Sequence, residues 1–150
     1  MNARYALTIL RVFLGVIFAV AVWPKLPPGF EYRLAPFLTG FAMQNGHPFY
    51  RAFLSSVVLP HISVFATLIK AGETCVAIGL ITGTATRVAG VVAMFLVTNY
   101  MFAKGLWWWT PSSNDAADFM IALALVIGRA GRTLGIDAWL ARRWPKAPFW

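Results

Sequence analysis

The sequence predicts an all-α integral membrane fold: a four-helix bundle with an interfacial or re-entrant segment between its first and second helices. Three observations carry this. The 150 residues are 59% hydrophobic and 12% charged, with a mean hydropathy of +0.68, whereas soluble domains carry about twice that charged fraction. The nine prolines, at positions 24, 27, 28, 36, 48, 60, 111, 145 and 148, all fall outside the long apolar stretches. Proline removes a helix hydrogen bond and clashes with the preceding turn, so it marks connections. The seven tryptophans, Trp23, Trp107, Trp108, Trp109, Trp139, Trp144 and Trp150, also lie outside those stretches or at their edges. Indole rings prefer the headgroup level of a bilayer. A chain of this length reads as one domain.

The first helix is expected over residues 5–23. Arg4 before it and Ala19-Val20-Ala21 near its end resemble a signal peptide, but the apolar run exceeds the roughly 7–15 residues of a signal core. It reads as an uncleaved transmembrane helix. The connection 24–60 is too long for a tight turn. Within it residues 34–38 are apolar but short, and Phe49, Phe53, Leu54, Val57 and Val58 recur at helical spacing. That pattern suits a helix lying in, or dipping into, the membrane surface over the outer mouth. The second helix is expected over Ile62–Thr82, the third over 86–102 and a shorter fourth over 116–129, with 134–140 extending it along the interface. A span needs about 20 apolar residues. The interfacial tail, 134–150, mixes Trp139, Leu140 and Trp144 with Arg142 and Arg143, a composition suited to an anionic lipid surface.

Four spans put both ends of the chain on one side. That side holds Arg4, Arg11, Arg87, Arg129, Arg132, Arg142, Arg143 and Lys146, and the other holds Lys25, Arg33, Arg51 and Lys104. Eight against four places both termini in the cytoplasm. The net charge is +8, but the basic residues are spread between apolar segments with no dense patch outside the tail. They predict topology and lipid contact, not nucleic-acid binding. Small residues recur every four positions at Ala71, Cys75, Gly79 and Gly83, at Ala85, Ala89 and Ala93, and at Ala124 and Gly128, which lets membrane helices approach closely. Cys75 is the only cysteine, so no internal disulfide or Cys-x-x-Cys pair exists; it reads as an inert packing residue.

Lys70 and Glu73 stand three residues apart inside the second helix. Three residues apart is the same side of a helix, and ionisable groups in a bilayer face a protein interior, a polar cavity or each other. Counting depth at about 1.5 Å per residue brings Arg11 of the first helix level with Glu73, and sets Asn99, Tyr100, Asp115 and Asp118 in the outer half. Two linked clusters are expected: Arg11 with Glu73 inside, and Lys70 with Asn99, Tyr100 and Asp118 outside. One reading is structural, with Arg11 snorkelling to the cytoplasmic face and Lys70 neutralising Glu73. The other is a hydrogen-bonding or proton-accepting pocket for a membrane-borne molecule such as a quinone, with Glu73 carrying the proton. His47 and His61 both lie in the outer connection, where facing haem ligands are not expected; His61 reads as interfacial. No phosphate loop, paired carboxylates with a water site or metal-ligand spacing appears, so no metal and no tightly bound cofactor is expected.

Three stretches carry a family resemblance. Arg11-Val-Phe-Leu-Gly15 followed by Trp23-Pro-Lys25-Leu26 resembles an opening Arg-x-x-x-Gly helix ending in Lys-Leu. Glu73 with Ile78-Gly79-Leu80-Ile81-Thr82-Gly83 and Thr86-Arg87 resembles a Glu…Gly-Leu…Gly…Thr-Arg segment. Gly128-Arg-Ala-Gly131-Arg132 with Gly135-Ile136-Asp137 resembles a Gly-rich ending before an Asp. These are features of the DoxX family, small four-helix membrane proteins that include the DoxD-like subunit of thiosulfate:quinone oxidoreductase. Where the family has a glycine shortly before the lysine, this chain has Ala19-Val20-Ala21-Val22. The resemblance implies association with membrane quinones and directs attention to Arg11, Lys25, Glu73, Arg87 and Asp137, the last two also as anchors of cytoplasmic helix ends.

The expected function is therefore a small membrane subunit of a redox system in a bacterial inner membrane. It would supply a quinone-side pocket for electrons from a soluble or membrane redox partner. Arg11, Lys70 and Glu73 are the expected catalytic residues, and Lys25, Asn99, Tyr100 and Asp118 the expected quinone contacts. The alternative is a non-catalytic accessory subunit packed against a larger membrane complex, its outer faces covered by lipid, pigment or partner helices. A small-solute transporter or channel fits less well, because no span carries the broken midplane helix often seen in transporters.

Overall fold

The structure, a computed structural model, describes residues 3–111 and 113–145; Lys146, Pro148 and Trp150 lie outside the described residues. Every regular element among them is helical. Helix α1 (Ala3–Val22) closes in a 3-10 turn, Trp23–Lys25. The connection then folds as α2 (Phe30–Phe37), a π-helical turn Leu38–Ala42, α3 (Met43–Asn45), α4 (Pro48–Phe53), a second π-helical turn Leu54–Val58 and a 3-10 turn Leu59–His61. Helices α5 (Ile62–Thr82), α6 (Thr86–Lys104) and α7 (Asn114–Ile127) follow. A 3-10 turn, Ala130–Arg132, leads into α8 (Ile136–Arg143).

Sequence chemistry explains the boundaries. Helix α1 ends where Pro24 takes the first turn of the 3-10 segment, a position that needs no proline N–H. Helix α5 stops at Gly83 (φ +71°) and α6 at Gly105 (φ +69°). Both are left-handed end caps, a conformation glycine takes without a Cβ penalty. Ser113 opens α7 by accepting a hydrogen bond from the Ala116 N–H, an N-cap.

Three helical runs are long and apolar enough to cross a bilayer: Arg4–Lys25, Pro48–Thr82 and Thr86–Lys104. The second, 35 residues, is not one straight rod: Pro60 opens the 3-10 turn Leu59–His61, and His61 leaves helical geometry (φ -120°, ψ 35°) just before α5. The rings of Phe53 and Phe65 stand 6.2 Å apart, where twelve residues of straight helix would span about 18 Å, so the segment before the turn folds back beside the start of α5. Helix α7 has 14 residues and would reach only about 21 Å. The tail does not continue α7: Arg129 (φ +48°) and Leu134 (φ +51°) turn the chain before α8 begins.

Helix α1 packs against α5 and α7, and α6 packs against α5 and α7. Their shared core holds Leu14 and Phe18 of α1, Val76 and Leu80 of α5, Ala93 and Leu96 of α6, and Ala122 and Leu125 of α7. A second core forms where Phe30, Leu34, Leu38, Leu54 and Val58 of the connection meet Ala66 of α5 and Ala103 of α6. The connection therefore caps the end of the molecule where α1 and α6 finish and α5 and α7 begin, here named the Lys25 end; the opposite end is the Arg11 end. Large apolar side chains face outward along the long helices, among them Ile9, Phe13, Leu68 and Phe95, as lipid contact requires.

The small-residue pattern is only partly an interface. Gly79 and Gly83 are buried, but Ala71, Cys75 and Ala124 are exposed. Cys75 therefore does not pack in the interior. Gly79 does make a close approach, since a Cβ there would stand 2.8 Å from Ala89 Cβ, and residues outside the pattern add others: a Cβ on Gly15 would stand 2.8 Å from Ile81 Cγ1, and one on Gly90 2.5 Å from Val126 Cγ2. A strict four-residue repeat drifts around a helix of 3.6 residues per turn, so its early members rotate out to lipid.

Candidate functional site

The Lys25 end carries a carboxylate held from three elements. Glu73, midway along α5, is 1% exposed. The 3-10 turn after α1 swings Lys25 inward, and its Nζ donates to Glu73 Oε1 at 2.5 Å and Oε2 at 2.6 Å. Tyr100 of α6 donates its hydroxyl to Oε1 at 2.7 Å. Two aromatic rings flank the ammonium, with centroids 5.9 Å (Phe30) and 5.7 Å (Tyr100) from Nζ, within the range of cation–π attraction. Burying a carboxylate costs several kcal/mol unless charge and hydrogen bonds compensate, and here both do. Lys25 remains partly exposed, at 23% of its side-chain surface.

The triad lies on the wall of a cavity of about 540 Å³, within the range of about 300–1,000 Å³ seen for small-molecule sites. Ile17, Phe18, Ala21, Phe30, Leu34, Phe37, Ile69 and Val97 make most of it apolar. Its polar members besides the triad are Arg33, Lys104, Asp115 and Asp118. Lys104 Nζ holds both oxygens of Asp115, at 2.8 and 3.0 Å. Arg33 donates to the Pro24 carbonyl. An apolar enclosure with a few convergent polar groups takes a ligand that has a polar head on an apolar body.

Of the residues expected from sequence, Glu73, Lys25, Tyr100 and Asp118 meet in this cavity. Three do not. Lys70 is half-buried one turn from Glu73, and no hydrogen bond or ion pair reaches it among the described residues. It does not neutralise Glu73, because Lys25, arriving from the end of α1, already occupies both carboxylate oxygens. Asn99 turns away: its Oδ1 accepts from the Tyr50 hydroxyl at 2.9 Å and its amide donates to Phe95 O at 2.7 Å. Arg11 lies 14 residues before Lys25 on α1, about 21 Å along the axis, so the expected Arg11–Glu73 cluster does not form. The depth count erred because α5 places Glu73 beside the last turn of α1, not its middle.

Arg11 instead belongs to a closed knot at the other end. It is 1% exposed and does not snorkel. Its Nη2 donates to the Leu134 carbonyl at 3.0 Å, while Nε and Nη1 find no partner among the described residues. A side chain on Gly83 would collide with Arg11 Nη1. Beside it Asp137, fully buried, accepts the N–H groups of Ala85 (2.7 Å) and Thr86 (2.8 Å) and donates its own N–H to the Gly83 carbonyl. The carboxylate thus caps the first turn of α6, where orphan N–H groups and the helix dipole favour an anion. Asp137 anchors a helix end, one of the roles the sequence suggested for it.

The histidines are accounted for locally. His47 Nε2 lies 3.0 Å from the Leu106 carbonyl, and its ring packs 4.1 Å from Trp107. His61 Nδ1 lies 3.0 Å from the Val57 carbonyl. Sequence reasoning missed Lys104, Arg33 and Phe30 as cavity residues and left Asp115 outside its clusters. A helical signal existed for two of them: Lys104 is four residues after Tyr100, and Asp115 three before Asp118.

The DoxX family model matches residues 6–105, a span that contains Lys25, Glu73 and Tyr100 and leaves Asp115, Asp118 and Asp137 beyond it. No curated protein and no solved structure matches the chain. With two-thirds of its length matched, and with helices built to lie in a bilayer, this membrane protein belongs to the DoxX family.

Proposed function

We propose that this chain is a small membrane subunit of a redox system whose cavity at the Lys25 end takes a quinone headgroup. The observation that carries the reading is the Lys25–Glu73–Tyr100 triad on the wall of a largely apolar cavity of about 540 Å³. A quinone is a flat apolar ring with two polar oxygens, and the cavity offers an apolar slot with a few polar groups. Glu73, in contact with both an ammonium and a phenol, is the group suited to hold a proton near such a ring. Electrons would come from a soluble or membrane redox partner. The reading also has α7 crossing a locally thinned bilayer as a fourth span. Both termini then face the cytoplasm of a bacterial inner membrane, and α2–α4 form the interfacial or re-entrant cap.

The test is purification of the full chain in native lipid, followed by extraction of bound quinone and titration with a short-tailed benzoquinone. Saturable binding that weakens roughly tenfold or more in Lys25→Met and Glu73→Gln supports the reading, since each change removes a charge-assisted contact. Absence of quinone together with a large stoichiometric assembly supports the accessory-subunit reading instead.

A further inference from the structure

We propose that the cavity prefers the two-electron-reduced, dihydroxy form of its aromatic ligand over the quinone, because Asp118 lines it with a carboxylate that accepts no hydrogen bond among the described residues, an acceptor that a hydroxyl can meet and a quinone carbonyl cannot. The inference rests on the quinone-site reading above and specifies which redox form the site holds.

A count of hydrogen-bonding capacity leads there. Lys25 directs its ammonium at both Glu73 oxygens, and the Tyr100 hydroxyl donates to the same carboxylate. Lys104 is committed to Asp115. Arg33, at the exposed rim, donates to Pro24. Asp118 differs: it lines the cavity one helical turn from Asp115, on the same side of α7, and no hydrogen bond reaches its carboxylate among the described residues. A carboxylate only accepts.

A quinone carbonyl also only accepts, so set against Asp118 it places lone pairs against lone pairs. A hydroquinone hydroxyl does both. It donates to Asp118 while its oxygen accepts the remaining N–H of Lys25 or an N–H of Arg33. Sites with buried acceptors discriminate strongly against ligands that lack the matching donor. Asp118 is half-buried, so the expected discrimination is roughly tenfold or more, the range of one hydrogen bond to a charged acceptor.

The experiment compares three ligands on the full chain in phosphatidylcholine nanodiscs under anaerobic conditions: a short-tailed benzoquinone, its hydroquinone and the hydroquinone dimethyl ether. The hydroquinone is expected to bind roughly tenfold tighter than the other two. Asp118→Leu is expected to abolish the preference, so that hydroquinone and quinone bind alike. Equal affinities in the native chain, or a preference that survives Asp118→Leu, overturn the inference while leaving the quinone site standing. Failure of all three to bind removes the quinone site as well. The comparison of ligands on the native chain needs no variant, so it decides the matter even where Asp118→Leu does not fold.

Discussion

The two ends of this protein bury charge in opposite ways. At the Lys25 end a carboxylate is held by side chains, Lys25 and Tyr100, that also border a cavity. At the Arg11 end a carboxylate, Asp137, is held by backbone N–H groups and walled in by glycines: a Cβ on Gly131 would collide with Asp137 Oδ2 and Thr86 Oγ1. Backbone ligands cannot swing away, and a wall of glycine leaves no room for a guest. Side-chain ligands beside a cavity can exchange one partner for another. The first arrangement suits recognition and the second suits fastening, although both read in sequence as charges in apolar surroundings.

The largest effect is expected where the fastening is broken. Asp137→Ala strips the acceptor from two buried N–H groups and leaves only the backbone bond to Gly83 joining α8 to the α5–α6 turn, so a loss of about 3–5 kcal/mol is expected, the scale for removing one partner of a buried charged contact. Arg11→Met sharpens the contrast within the same knot. Only one guanidinium nitrogen is hydrogen-bonded, and an apolar replacement of similar length removes two orphan donors but also takes a nearby cation from the buried Asp137. With the backbone cap left in place, its cost should stay below that of Asp137→Ala. Thermal unfolding in detergent measures both. Equal losses for the two variants would mean that Arg11, not the α6 cap, holds the knot.

At the Lys25 end the expected stability effects are smaller, and the binding effects larger. Lys25→Met leaves Glu73 buried with Tyr100 alone, and about 2–3 kcal/mol should be lost, because the carboxylate stays desolvated without its counter-charge. Glu73→Leu removes the buried charge and frees Lys25 to the solvent it already touches, so it should cost less. The double variant should therefore be more stable than Lys25→Met alone. A double-mutant cycle reads this directly, and strict additivity would show that the pair is not coupled. Tyr100→Phe removes one hydrogen bond to a carboxylate that keeps two others. It should cost about 1 kcal/mol and leave the fold intact.

The same contrast explains what could be read from sequence. The ends of α5 were legible because Pro60 and Gly83 bracket an apolar run, and Glu73 was legible because a carboxylate in such a run demands a partner. The partner was not. Which residue of an antiparallel neighbour comes level with Glu73 depends on how the cap 24–60 folds, and local pattern carries no information on that. Lys70 was chosen for spacing alone, but spacing gives reach, not occupancy, and Lys25 arrives first. Counting depth from helix ends sets Arg11 level with Glu73, whereas α1 meets α5 with Gly15 against Ile81 and Arg11 against Gly83, which carries Arg11 past the end of α5 and brings Lys25 to Glu73. The Asp137 cap escaped derivation because it joins residues 51 and 52 positions apart in the chain, and only the family resemblance drew attention to it.

The smallest expected effect is the most discriminating. Lys70 and Lys25 are both lysines within reach of α5's polar side, yet only one touches Glu73. Lys70 is half-buried and makes no hydrogen bond among the described residues, so its long stem covers apolar surface while its head seeks the headgroup level. Lys70→Met keeps the stem and deletes the head. Stability should then move by less than about 0.5 kcal/mol, as for surface changes away from special features. Quinone titration should superimpose on that of the native chain. A binding loss as large as that of Lys25→Met would mean that the lysine head reaches the cavity in the bilayer. The ligand would then sit between Lys70 and Glu73, one turn nearer the start of α5 than the Lys25–Tyr100 wall places it.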